Sequence, residues 1–184
     1  YPKSRYRVMI DKPYVDTMNN IHDNIIDKAK KIELVLFDVD GILTDGGIYM
    51  SKEGHESKRF FAQDGHGIIL LKSIDIEIGI ISGRKSKCVD VRGRELGINK
   101  ILQNSRDKLK DFEDSFLSEF NYENTCFVGD DVVDGNLLSK VGLSITVPNA
   151  NFRLLEQSID WVTPRAGGYG AVRDVCDLIY YSKK

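Results

Sequence analysis

The sequence predicts an α/β fold in which a central parallel sheet lies between two layers of helices. Three observations predict it. From Ile32 onward, short apolar runs alternate with helix-type patterns, the mark of parallel strands buried on both faces and joined by crossover helices. Three of those runs end in a polar residue, Asp38, Ser82 and Asp130, and the carboxyl ends of strands are where open α/β sheets place their ligands. The 184 residues, 41% of them hydrophobic, suffice for one domain with a sizeable core.

Residues 1–13, with Pro2 and Pro13, read as an arm or linker, and a helix is expected over about 14–30. An N-terminal arm and helix (1–30) thus precede a domain over 31–184. The segments "ELVLFD" (33–38), "IEIGIIS" (76–82), "TCFVGD" (125–130) and "LSITVP" (143–148) are the buried strands. Between the first two, "GGIYMSKEGHESKRFF" (46–61) breaks the alternation. Two β-rich pieces flank a turn-like Lys52-Glu53-Gly54, so a β-hairpin is expected to project from the sheet edge. Helices are expected over about 65–74, 85–96, 106–120, 133–141, 151–157 and 170–181, with Asp64, Asp107 and Asn151 as N-caps of three of them.

Composition excludes several classes of function. A formal charge of −2 gives no electrostatic reason to expect nucleic acid or an anionic membrane as partner. No apolar run approaches the roughly 20 residues that cross a bilayer, and the polar start lacks the apolar segment of a secretory signal. Cys88, Cys126 and Cys176 are odd in number, widely separated and without metal-type spacing, so they read as reduced packing residues of a cytoplasmic protein. Nothing pairs His55 and His66 as metal ligands. The chain opens at Tyr1 without an initiator Met, as a fragment or a processed form would.

What the strand-end acids are for follows from their company. "DVDGILTDG" (38–46) resembles motif I of the haloacid dehalogenase superfamily of phosphatases, "IISGRK" (80–85) its motif II, Lys108 in "RDKL" its motif III, and "GDDVVD" (129–134) its acidic motif IV. The four run in the family's order over about residues 32–181. The resemblance implies a Rossmann-like three-layer domain. It also implies catalysis by Asp38, Asp40, Ser82 and Lys108, with Mg²⁺ held by Asp38, the Asp40 backbone carbonyl and Asp130. Asp131 and Asp134 would orient metal-bound water, with direct ligation as the alternative.

That chemistry needs these residue types. A carboxylate at Asp38 can attack phosphorus and form an aspartyl-phosphate, dividing one hard step into two easier ones. Two carboxylates and a phosphate dianion carry four negative charges, of which Mg²⁺ and Lys108 offset three; without both cations the site would be prohibitive in low dielectric. Ser82 would donate to the phosphoryl oxygens. Asp40 would give the leaving alkoxide its proton and later take one from water. Gly41 and Gly46 let the backbone turn tightly beside a bound anion.

The superfamily usually selects substrates with an inserted cap domain, but the intervals from Asp40 to Ser82 and from Ser82 to Lys108 leave no room for one. Within the superfamily, "DGGIYMSKEGHESKRFFAQDGHGI" (45–68), "ISGRKSK" (81–87) and "RAGGYGAVRDVCDLI" (165–179) resemble the 3-deoxy-D-manno-octulosonate 8-phosphate phosphatases of lipopolysaccharide sugar biosynthesis. That family implies a homotetramer in which the hairpin flap and a C-terminal tail reach a neighbour's active site, the tail made flexible by Gly167, Gly168 and Gly170. Arg84 suits the substrate's carboxylate, since a guanidinium binds carboxylates in bidentate fashion. Arg59, Gly83, Lys85, Arg165, Gly167 and Gly168 are the further substrate-binding candidates.

Two alternatives stand beside this reading. One is a phosphatase for a nine-carbon 2-keto-3-deoxy sugar acid 9-phosphate, where an acidic residue is expected in place of Arg84. "RYRVMIDKP" (5–13) is faintly similar to the last strand of a sugar-acid cytidylyltransferase, which would make the chain part of a fusion. The other is a silent oligomerisation module of a synthetase, whose mark would be loss of the motif residues; all are present.

Overall fold

A computed structural model of the protein describes residues 21–184. The expected arm over 1–13 and the first part of the expected helix lie outside the described residues. The remainder of that helix is α1 (Asp23–Lys31). Strand β1 (Leu34–Phe37) follows, then a tight turn over Val39–Leu43 and the hairpin of β2 (Tyr49–Met50) and β3 (Glu56–Ser57). Next come α2 (Ala62–Lys72), β4 (Glu77–Ile81), α3 (Lys87–Glu95), β5 (Lys100–Leu102), α4 (Lys108–Phe116) and β6 (Thr125–Val128). A 3₁₀ turn (Val132–Asp134) leads into α5 (Gly135–Leu138), β7 (Leu143–Thr146), α6 (Phe152–Leu155), β8 (Trp161–Val162) and α7 (Ala171–Ser182).

The main sheet has the order β5-β4-β1-β6-β7-β8, and every pairing in it is parallel. Alternation along β1 builds two cores: Val35 and Phe37 face one, with α1, α2 and α7, while Leu34 and Leu36 face the other, with α4, α5 and α6. This is the expected three-layer arrangement. Among the described residues no cap domain is inserted, since β1 and β4 are separated only by the hairpin and α2. Strand β1 lies between β4 and β6, and Phe37 pairs with both Ile80 and Val128. The chain reverses its direction of winding across β1, so a crevice opens beyond the carboxyl ends of β1, β4 and β6. Asp38, Ser82 and Asp130 leave the sheet there.

Several local expectations change. β5 and β8, three and two residues long, carry too little pattern to be read as strands. The helix expected over 133–141 is broken into the 3₁₀ turn and α5. Asp107 and Asn151 do cap α4 and α6, accepting from the N–H groups of Lys110 and Arg153. Asp64 does not cap α2, which begins earlier at Ala62; buried inside that helix, its carboxyl accepts from the N–H of Arg173 at 2.8 Å. It thereby satisfies the start of α7, whose own N-cap is Gly170 and has no side chain to offer.

Candidate active site

The turn after β1 depends on one glycine. Gly41 has φ +92°, and a Cβ there would lie 2.0 Å from Oδ2 of Asp130. Only glycine lets the motif I backbone pass so close to a carboxylate carried by β6. The turn is closed by the Thr44 N–H and hydroxyl, both donating to the Val39 carbonyl at 3.0 and 3.2 Å.

Around it Asp38, Asp130 and Asp134 form an acidic cluster, with one carboxylate oxygen from each lying within 4.8 Å of the others. Lys108, at the start of α4, is buried between them, its ammonium 2.8 Å from Asp38 Oδ1 and 2.5 Å from Asp134 Oδ1. Asp134 also accepts from the N–H groups of Asp130 and Asp131 through Oδ2, at 3.0 and 3.1 Å. Both its oxygens are therefore in use, and it fixes Lys108 and the motif IV loop. Asp131 caps the 3₁₀ turn through the Val132 N–H at 2.7 Å and also accepts from the Asn151 amide at 3.1 Å. It stands outside the cluster.

Burial pushes the Asp38 carboxyl up to about 6, against the pull of Lys108 and with the Asp134 charge adding to the rise. Burial likewise pushes Asp130 up to about 8, reinforced by the charges of Asp38 and Asp134. For Lys108 burial works the other way, but the two carboxylates outweigh it and hold the ammonium above the ordinary lysine value. When all three are ionised, the carboxylates set against one ammonium leave two negative charges in a largely buried space. That deficit, presented by hard oxygen donors, fits one Mg²⁺.

Asp38, Asp130 and Lys108 form the floor of a cleft of about 340 Å³, lined also by Asp40, Ser82, Gly83, Arg84, Ser105, Arg106, Asp131 and Val133, with Asp134 buried beneath it. Ser82 is buried at the rim, its Oγ accepting from the Arg84 N–H at 3.4 Å. Two cleft atoms, Ser105 Oγ and Arg84 Nη1, are buried with no hydrogen-bond partner among the described residues. Buried donors without partners are costly, and an anionic ligand supplies the missing acceptors.

The structure does not bring every candidate to this cleft. Lys85 is exposed and outside it. Arg59 lies over the Tyr169 ring, 4.6 Å from its centroid, and donates to the Gly168 carbonyl at 2.9 Å. Arg165 pairs with Asp174 and donates to Gln63 Oε1 at 3.0 Å. The expected flexible tail at 165–170 is corrected: it is packed on its own chain. Gly168 donates to the Ile42 carbonyl at 2.9 Å, Gly167 donates to Asn149 Oδ1 at 2.9 Å, and a Cβ on Gly167 would fall 1.6 Å from the Gly41 carbonyl oxygen. These glycines brace the motif I turn from behind. Conversely, Ser105, Arg106 and Val133 line the cleft without having been legible as site residues. Ser105 and Arg106 directly precede Asp107-Lys108, which was the available signal.

The chain is also similar to known proteins in sequence and fold. No family model matches the sequence. The 3-deoxy-D-manno-octulosonate 8-phosphate phosphatase KdsC of Escherichia coli K12 is 46% identical over 158 residues, covering 85% of this chain and 83% of that protein. The crystal structure of 3-deoxy-D-manno-octulosonate 8-phosphate phosphatase from Moraxella catarrhalis, in complex with magnesium ion, phosphate ion and KDO, superposes with a TM-score of 0.84 at 40% identity. The superposition covers 88% of this chain and 92% of that one. A Legionella pneumophila structure described as an HAD superfamily (subfamily III A) hydrolase gives 0.84 at 36% identity, covering 92% and 91%.

Proposed function

The chain belongs to the 3-deoxy-D-manno-octulosonate 8-phosphate phosphatase family of the haloacid dehalogenase superfamily, and from that premise we propose that it is a Mg²⁺-dependent phosphomonoesterase. It releases 3-deoxy-D-manno-octulosonate and inorganic phosphate from the 8-phosphate ester. One observation carries the reading: Asp38, Asp130 and Lys108 converge at the floor of a cleft whose buried donors lack acceptors.

Asp38 and Asp130 would hold the ion through their side chains and Asp40 through its backbone carbonyl, and the ion supplies positive charge between carboxylates and phosphoryl oxygens. An Asp38 oxygen forms a bond to phosphorus as the ester P–O bond breaks. Asp40 gives its proton to the departing sugar alkoxide. In the second step Asp40 takes a proton from water, the water oxygen attacks phosphorus, and the bond to Asp38 breaks. Phosphate leaves and the Asp38 carboxylate is restored. Lys108 offsets charge on Asp38 throughout, while Ser82, Ser105 and Arg84 donate to anionic oxygens of the substrate.

Phosphate release from a panel of acidic sugar phosphates, with and without a chelator, tests this. The eight-carbon 8-phosphate should exceed the nine-carbon 9-phosphate in kcat/KM by about tenfold or more, and chelation should stop turnover of both. Metal-independent turnover, or none on any acidic sugar phosphate, overturns the assignment. The relatives described above favour the eight-carbon substrate, and the complete set of motif residues speaks against a silent module.

We also propose a cytoplasmic homotetramer in which the flap reaches a neighbouring subunit. Ile48 and Met50 on the flap are 61% and 60% exposed, beside an exposed Tyr49, and an apolar strand edge of this kind is normally covered. Cys88, Cys126 and Cys176 are all free thiols, which suits a reducing compartment. Sedimentation equilibrium should give four chains per particle, falling in an Ile48→Ser/Met50→Ser variant. A monomeric wild-type protein refutes the assembly.

A further inference from the structure

The flap carries a lysine that the mechanism above leaves unused. Lys58 directly follows β3, and its side chain is only 1% exposed. It ion-pairs with Asp40 Oδ1 and lies 3.5 Å from Glu56 Oε1. Glu56 in turn accepts from Arg84 Nη2 at 2.7 Å, and Arg84 Nη1 stands 3.8 Å from Asp40 Oδ2. With Asp40 ionised, as it is between giving up its proton and taking one from water, the four side chains close a ring of alternating charge with no net charge: Asp40, Lys58, Glu56, Arg84. It joins the turn after β1, the returning strand of the flap and the turn after β4. Asp40 and Arg84 line the cleft and Lys58 does not, so Lys58 reaches the cleft through its partners, directly by Asp40 and more remotely by Glu56 and Arg84.

A buried ammonium survives only if carboxylates satisfy it, and here two do. In exchange it fixes the direction of both. Asp40 sits on a short turn and, among the described residues, has no other cation in hydrogen-bonding contact, so its rotamer depends on this lysine. We propose that Lys58 is a positioning residue that aims the Asp40 carboxyl at the leaving oxygen. Because Lys58 is part of the flap, the aim is tied to the seating of the flap on the sheet. The inference rests on the phosphatase reading above, with Asp40 as proton carrier.

The test compares Lys58→Met and Lys58→Arg on two leaving groups. A sugar alkoxide needs a proton to depart, whereas the nitrophenolate of p-nitrophenyl phosphate does not. The parameter is kcat/KM, which includes only steps up to leaving-group departure. Lys58→Met should lower it by about 10²-fold on the sugar-acid phosphate and by no more than about threefold on the aryl phosphate. Lys58→Arg should recover part of the loss. Glu56→Gln, which releases the far end of Lys58, should show the same leaving-group selectivity to a smaller degree if Lys58→Met fails to fold. A parallel fall on both substrates, or no loss on either, overturns the proposal. Should the wild-type protein hydrolyse other alkyl phosphates but not the sugar-acid ester, the substrate assignment fails. The Lys58 comparison is then read on the best alkyl phosphate of the panel.

Discussion

Asp38→Asn abolishes turnover and leaves the fold intact. The substitution keeps the shape of the side chain and the Oδ1 acceptor that faces Lys108 at 2.8 Å. It removes the anionic oxygen that must bond to phosphorus, and an amide is no substitute nucleophile. Loss of a nucleophile typically costs a hydrolase about 10⁴-fold or more in kcat. Stability should move the other way. Asp38 is a buried carboxyl whose ionisation is opposed by its surroundings, so a neutral amide lowers the repulsion with Asp130 and Asp134. The metal-free variant should therefore melt no lower than the metal-free wild-type protein. Phosphate release and a thermal melt followed by circular dichroism check both halves. Turnover above about one hundredth of wild type would remove Asp38 from the nucleophile's role.

The residues that gather at the candidate site were legible because they sit at places the chain marks. Asp38, Ser82 and Asp130 each terminate an apolar run, and β1, β4, β6 and β7 are buried on both faces, so their runs are unbroken. β8 was illegible because two residues cannot display a period. Asp64 was misread for a different reason. Asp ahead of an apolar run is a local cap signal, yet here its carboxyl serves the N-terminus of α7, over a hundred residues away. The glycines at 167 and 168 fail in the same way: glycine reads as freedom, whereas these permit contact with the Gly41 carbonyl and the Asp45 backbone. Lys58 lies in "ESKRF", where no periodicity tells which charged group turns inward. What the sequence hides is long-range pairing; what it shows is each residue's place on its own element.

The largest effect of conditions should come from Mg²⁺, and it should depend on pH in a definite direction. The carboxyls of Asp38 and Asp130 are raised from the ordinary aspartate value of 3.8 to about 6 and about 8. A carboxyl raised in the folded state contributes stability that is fully present below its unfolded pKa and is lost as pH rises through the folded one. Without metal the protein should therefore lose stability steadily between about pH 4 and pH 8, as the two groups ionise beside Asp134. The ion binds the ionised form and must compete with protons below that range. Added Mg²⁺ should thus raise Tm strongly at about pH 8.5 and little at about pH 5.5. At a hundred times its dissociation constant, the ion contributes about 2.7 kcal/mol, or roughly 5–10 °C for a domain of this size. Asp130→Asn should shrink the pH-dependent part of that gain and leave the part due to Asp38, because it removes the carboxyl with the higher of the two values. Equal Mg²⁺ shifts at both pH values, or a larger shift in acid, would mean that these carboxylates do not hold the ion.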